Sequence, residues 1–337
     1  MTKKSYALLS MTIASALALC TAGVAGAASS PSCGNSTTST ASVKTTTAKA
    51  AATTSAAQST SEQATPKMLA ENKQFVLNMF KDIFTDHKLD TASKYIADDY
   101  IQHNPLAGNG RQAFVDFFAP FVKQNPQYNV QVKRIIAQGD LVLVHSLAQT
   151  NKTDRGMAVI DIFRLKRVNG KPIIQEHWDI AQQIPEKSAN NNTMFPLAGT
   201  PIEVKPTSSN QVAANVKLVT TFYNDFFNKK DGAALKKYVD VNYIQHNPSV
   251  PTGRKPLESF IPMLKSNPDS RNQIVRVIAE GDIVALHVHG QNNKDDRGAA
   301  VLDMFRVKTI NGQLKIVEHW DVVQEVPEQS ANTNTMF

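Results

Sequence analysis

Val76, Met79, Phe80, Ile83 and Phe84 recur at three- and four-residue intervals, the spacing that gathers apolar side chains on one face of a helix. Val216, Val219, Phe222, Phe226 and Phe227 repeat the pattern later in the chain. Thr65-Pro66 predicts where the first helix begins, with Thr as the cap and Pro at the first helical position. A short helix is expected over residues 91–95. Another should follow Gly110, with Phe114, Phe117, Phe118 and Phe121 as its apolar stripe. From Val130 the period changes to two. Residues 130–137 alternate, Gln138-Gly139-Asp140 turns the chain, and residues 141–148 continue as a second strand. Residues 156–167 and 173–182 give a third and a fourth, joined at Asn169-Gly170, a strong hairpin signal that Asn311-Gly312 repeats. Helices followed by a meander predict an α+β domain with its helices on one sheet face.

The pattern occurs twice. Tyr100-Ile101-Gln102-His103-Asn104-Pro105 returns as Tyr243-Ile244-Gln245-His246-Asn247-Pro248, and Glu176-His177-Trp178-Asp179 as Glu318-His319-Trp320-Asp321. Gly139-Asp140 and Asp154-Arg155-Gly156 return at 281–282 and 296–298. Ser188-Ala189-Asn190 with Thr193-Met194-Phe195 returns at 330–332 with 335–337. The register slips by one residue between early and late motifs, which fits a deletion in a loop between Gly253-Arg254 and Asn267-Pro268. A repeat of this length is a duplicated domain.

Composition changes the picture mainly at the N-terminus. Lys3 and Lys4, a short apolar stretch over residues 7–19 and Ala25-Gly26-Ala27 read as a secretory signal peptide over 1–27. Cys20 offers a competing lipoprotein reading, against which the bulky Leu19 argues. Residues 28–65 are Ser, Thr and Ala with little to bury, and are expected to be disordered. The mature chain should then be exported, periplasmic or extracellular, with Cys33 as its single thiol and no membrane span. The net charge of +7 is spread among acids with no basic stripe, so nucleic acid is not an expected partner.

Candidate chemistry sits on the strands, where residues two apart share a face. Val159, Asp161 and Phe163 share one face of the third strand and Ala158, Ile160 and Ile162 the other. His177 and Asp179 share a face of the fourth, opposite Glu176 and Trp178, and Leu141, Leu143 and His145 align on the second. Asp303, His319, Asp321 and His287 repeat these positions. A carboxylate in an apolar pocket has a raised pKa and can act as a general base beside a neutral His. The same residues could instead be satisfied polar pairs, with His103 bonded within its own Asn-Pro loop. A metal is not expected: the one tight pair, His287 with His289, meets Leu147 in the first copy.

Taken together, the Tyr-Ile-Gln-His-Asn-Pro, Gly-Asp, Asp-x-Phe-Arg and Glu-His-Trp-Asp motifs resemble the SnoaL-like polyketide cyclase family, in particular its branch of predicted aldol-condensation proteins. The resemblance covers both copies, roughly residues 68–195 and 211–337. It implies two tandem cone-shaped domains of the nuclear transport factor 2 superfamily, each a curved antiparallel sheet on helices, over 66–195 and 211–337 with a 196–210 linker. It further implies aldol or isomerase-type chemistry without a cofactor, the acid/base Asp falling on Asp179 and Asp321 or on Asp161 and Asp303. His177 and His319 would act beside it. Tyr100, His103 and His145, with Tyr243, His246 and His287, would hold a small apolar or carbonyl-containing ligand. A non-catalytic binding protein of the same fold is the alternative. The apolar faces bearing Ala158, Ile160, Ile162 and Trp178, and Ala300, Leu302, Met304 and Trp320, suggest that the copies pair internally.

Overall fold

The computed structural model describes residues 64–337. The expected signal peptide, the Ser/Thr/Ala-rich segment, Cys20 and Cys33 lie outside the described residues. Thr65 caps α1 (Pro66–Met79), its Oγ1 accepting from the Met68 N–H at 3.2 Å, and Pro66 stands in the first turn. The helix widens into a π-helical turn over Phe80–Thr85, and the predicted stripe buries Val76, Met79, Phe80 and Ile83. A 3₁₀ turn leads to α2 (Ala92–Tyr95), β1 (Ile96–Gln102), α3 (Arg111–Gln124), β2 (Asn129–Gln138), β3 (Leu141–Gln149), β4 (Met157–Val168) and β5 (Lys171–Gln183). The second copy follows as α4 (Ser209–Tyr223), α5 (Ala233–Tyr238), β6 (Val239–Gln245), α6 (Arg254–Glu258), α7 (Ile261–Ser266), β7 (Arg271–Glu280), β8 (Ile283–Gln291), β9 (Ala299–Ile310) and β10 (Gln313–Glu325).

The strand orders are β1-β5-β4-β3-β2 and β6-β10-β9-β8-β7. The four later strands of each copy are antiparallel, as the alternation predicts, and Asn169-Gly170 and Asn311-Gly312 all take positive φ as the tight hairpin requires. Each sheet is nonetheless mixed, because β1 runs parallel to β5 and β6 to β10. Asp98-Asp99 interrupts the alternation of β1, and the register shifts between Ile96 and Ile101, so the period-two signal is lost there. The stretch where the copies slip register is helical rather than a loop: α3 in the first copy, and α6 and α7, parted at Ser259-Phe260, in the second.

Three apolar layers form. Val142, Val144, Phe163, Leu165 and Ile174 face α1, α2 and α3, and Val284, Leu286, Phe305, Val307 and Ile316 repeat this on the helices of the second copy. The opposite faces meet each other. Ile160, Ile162, Trp178 and Ile180 share one cluster with Leu302, Met304, Trp320 and Val322, all essentially without solvent contact. Burying a side chain of this size is worth about 1.5–3 kcal/mol, so this layer is a large part of the apolar stabilisation. Two guanidiniums cross between copies: Arg134 lies 3.9 Å from the Trp320 ring and Arg276 3.7 Å from Trp178. Part of residues 196–210 is laid on the sheets, with Ile202 accepting from the Ile135 N–H at 2.8 Å. Among the described residues no helix is long and apolar enough to cross a membrane.

Candidate functional site

Antiparallel pairing places Asp161 opposite Asp179 and Phe163 opposite His177, so all four point to the helix side of the sheet. The ligand-capable atoms of Asp161, His177 and Asp179 lie within 4.8 Å of one another, as do those of Asp303, His319 and Asp321. These are the groups that could hold a divalent cation if one were bound. The Phe163 ring stacks on His177 with centroids 4.7 Å apart, and Tyr100 covers its other side at 6.3 Å.

The hydrogen bonds fix where the protons sit. Gln102 ends the parallel strand β1, whose register sets it beside His177. Its Oε1 accepts from the Asn104 backbone N–H at 2.9 Å, and its Nε2 donates to the Tyr100 hydroxyl at 3.1 Å. A backbone N–H can only donate, so the Gln102 amide orientation is set. His177 Nδ1, 3.0 Å from that same Oε1, must therefore carry a hydrogen. Its Nε2 faces Asp161 Oδ1 at 3.0 Å, so one further proton lies between ring and carboxylate. Asn104 Nδ2 donates to Asp179 Oδ2 at 2.7 Å, leaving Asp179 Oδ1 buried without a partner.

Electrostatics favour holding that proton. Burial raises the Asp161 pKa, His177 opposes the rise, and Asp179 adds to it. Burial alone would lower the pKa of His177, but the bond from Asp161 and the charges of both carboxylates leave it raised. In the second copy His319 is raised in the same way, and burial together with Asp303 raises Asp321 against the pull of His319.

The copies are not equivalent. Tyr223 donates its hydroxyl to Asp303 Oδ2 at 2.9 Å, and repeat alignment puts Phe80 at that position in the first copy. Asp161 keeps 13% of its side chain exposed and Asp303 only 6%. The first site also has Tyr128, whose pKa is raised by burial and by Asp161 and Asp179, where the aligned residue of the second copy is Ser270.

Tyr100 and Tyr243 join the Asp–His–Asp sets, but four of the predicted ligand-holding residues do not. His145 pairs across the sheet with Ile160, and His287 with Leu302, so both point into the layer between the copies. His145 is fully buried with neither ring nitrogen bonded, its pKa lowered well below the usual range by burial and by Arg134; His287 is pushed down to about 3, first by burial. His103 stacks on Trp178 at 4.7 Å and binds Glu176 at 2.9 Å, and His246 stacks on Trp320 at 4.8 Å and binds Glu318 at 2.9 Å, all on that same outer face. Cavities of about 620 and 630 Å³ open on this side too, the first lined by Lys133, Met194 and Phe195, the second by Arg276, His289 and Phe337; neither of these two is lined by the Asp–His–Asp sets. Gln102, Asn104, Tyr128 and Tyr223 carry structural duties for which the sequence reading assigned no role. For the first two the repeated Gln-His-Asn-Pro motif was the available signal.

The profile of the SnoaL-like domain matches residues 76–173, and that of the SnoaL-like polyketide cyclase matches residues 217–329. No curated protein matches the chain. Similar solved structures include a loop-truncation variant of IdmH, 23% identical over 33% of this chain and 92% of its own length, with a TM-score of 0.29. TsrD from Streptomyces laurentii is 19% identical over 33% and 89%, with a TM-score of 0.27. A SnoaL-like protein of unknown function from Burkholderia thailandensis is 15% identical over 36% and 99%, with a TM-score of 0.29. With one matched profile on each copy and an α+β sheet-and-helix domain around each matched segment, the chain belongs to the SnoaL-like family as two tandem domains.

Proposed function

We propose that this protein moves protons on a small carbonyl compound by acid/base chemistry that needs no cofactor, as an aldol or isomerase-type enzyme. The observation that carries the reading is the 3.0 Å approach of His177 Nε2 to Asp161 Oδ1, which shares one proton between them, beside the unpartnered Oδ1 of Asp179. Asp179 Oδ1 would take the proton from the carbon next to the carbonyl, breaking that C–H bond. The His177–Asp161 pair would supply its proton to the carbonyl oxygen as negative charge develops there. For an isomerisation, Asp179 returns its proton to carbon while the hydroxyl proton goes back to the His177–Asp161 pair; for an aldol step, the enol carbon attacks a second carbonyl, its O–H proton returns to the pair and the proton on Asp179 passes to the new alkoxide.

A second reading, a non-catalytic small-molecule-binding protein, draws on the closure of the second site by Tyr223. Exchange of substrate C–H for deuterium, followed over a panel of small ketones and 1,3-dicarbonyls, separates the two. The enzyme reading expects exchange that falls about 10²–10⁴-fold in Asp179→Asn/Asp321→Asn and persists after EDTA treatment. Binding without exchange, or exchange insensitive to both Asp179→Asn and Asp321→Asn, favours the binder. EDTA-sensitive exchange would shift the role of the three groups to holding a cation.

The reading includes export directed by residues 1–27 and an internal pairing of the copies in solution as a pseudo-dimer. The shared apolar layer and the crossed Arg–Trp stacks support the pairing. Scattering from a compact monomer is its expected signature.

A further inference from the structure

We infer that each site is held in shape by the C-terminal tail of the other copy. Residues 330–337 lie along the loop that follows β1. Asn332 Nδ2 donates to the carbonyls of Asn104 and Ala107, both at 2.8 Å. Asn334 Nδ2 donates to the Gln102 carbonyl and to Asn109 Oδ1, again at 2.8 Å. The Ala331 N–H reaches the Pro105 carbonyl at 2.7 Å, and the His103 ring donates to the Thr335 carbonyl. Residues 188–195 grip the loop after β6 in the same way. Asn190 donates to Asn247 and Val250, Asn192 to Gln245 and Thr252, and the Ala189 N–H to Pro248.

The gripped loops are the ones that hold the acid/base groups. Gln102 orients His177 and Asn104 orients Asp179, and the tail binds the backbone carbonyls of those two residues. The connection runs from Asn334 through Gln102 to His177 and so to Asp161. Left to itself the loop is irregular, with backbone bonds from Ala107 to Asn104 and from Gly110 to Tyr100. Such a segment, held by so few backbone bonds of its own, opens easily. A carboxamide NH₂ offers two donors and here divides them between two acceptors, which neither Ala nor Asp can do. Asn332 and Asn334 are thus positioning residues for the first copy's site, and Asn190 and Asn192 for the second's. The repeated Ser-Ala-Asn and Thr-Met-Phe tails, which the acid/base reading leaves unused, acquire a role.

The inference builds on the proton-transfer reading of these sites, but its test reads the imidazoles without turnover, so failure of one is distinguishable from failure of the other. The mature chain is followed by NMR of its histidine rings, assigned with His177→Gln and His319→Gln. In Asn332→Ala/Asn334→Ala the His177 midpoint should fall by about half a pH unit or more, because the Nδ1–H bond to Gln102 favours the charged ring, while His319 stays in place. Asn190→Ala/Asn192→Ala should give the reverse. If a double variant does not fold, Asn334→Ser and Asn192→Ser are read by the same criterion. An unmoved His177, equal movement of both rings, or movement of the ring in the same copy as the substitution overturns the inference.

Discussion

The Tyr223 hydroxyl donates to Asp303 Oδ2 at 2.9 Å, while His319 binds Oδ1 of the same carboxylate at 2.8 Å, so both Asp303 oxygens are engaged in the buried core of the second copy. Tyr223→Phe strands one buried oxygen, at a cost of about 1–3 kcal/mol. Phe80→Tyr would offer Asp161 the bond it lacks and should lower its raised pKa. Urea unfolding of Tyr223→Phe and carboxyl ¹³C titration of Phe80→Tyr check the pair. An unchanged midpoint in the first, or an Asp161 pKa that does not fall in the second, contradicts the equivalence of these positions.

The pH dependence has a defined sign. His177 and His319 have folded pKa values above the ordinary 6.5, so the folded chain binds their protons more tightly than the unfolded chain does. Their stabilisation is complete below about pH 6.5 and is lost as pH rises through the folded values. The raised Asp161 and Asp321 act in the same direction from about pH 4 upward. Above about pH 7, where the lowered His145 and His287 are neutral in both states and no longer oppose the trend, urea midpoints should therefore fall as the folded values are passed, and His177→Gln/His319→Gln should flatten that part of the profile. A midpoint that climbs over this range contradicts the assignment.

Lys73 and Glu280 join the copies at 2.8 Å, with Glu280 Oε2 also accepting from the Ala137 N–H at 2.8 Å. Burial works against the Lys73 charge, but bonds to Glu280 and Glu203 outweigh it and raise its pKa. Removing one partner leaves a buried charge unanswered. Lys73→Met should cost about 3 kcal/mol, and Lys73→Met/Glu280→Gln less than the sum of the single changes. A double-mutant cycle in urea measures both, and simple additivity would deny the coupling.

The proposed export directed by residues 1–27 expects Edman sequencing of the exported protein to read from Ala28. A lipid-modified Cys20 at the mature terminus would replace the soluble-export reading with an anchored one.

The apolar stripe of α1 is legible in the sequence because it buries one face against a single layer, and β2 to β5 are legible because residues two apart share a face whichever layer that face meets. The Asp161–His177–Asp179 grouping follows from the same alternation once strand partners are assigned. His145 shows the limit: alternation tells which residues share a face within a strand, but only the pairing with Ile160 tells which face that is. β1 was hidden because Asp98-Asp99 breaks its pattern and its partner β5 lies far along the chain. Tyr223 is absent from the stripe read along α4, and only the fold brings its hydroxyl to a residue eighty positions later.

The reciprocal grip of tail and loop has a consequence for behaviour on dilution. In two separate molecules these contacts would be bimolecular, and the loops would loosen whenever the protein fell below its dissociation constant. Here the second copy is tethered, and its effective concentration beside the first is set by the connecting segment at about the millimolar level, whatever the bulk value. Residues 196–210 therefore act as a concentration buffer for both loops, and the shape of each site becomes independent of how much protein is present.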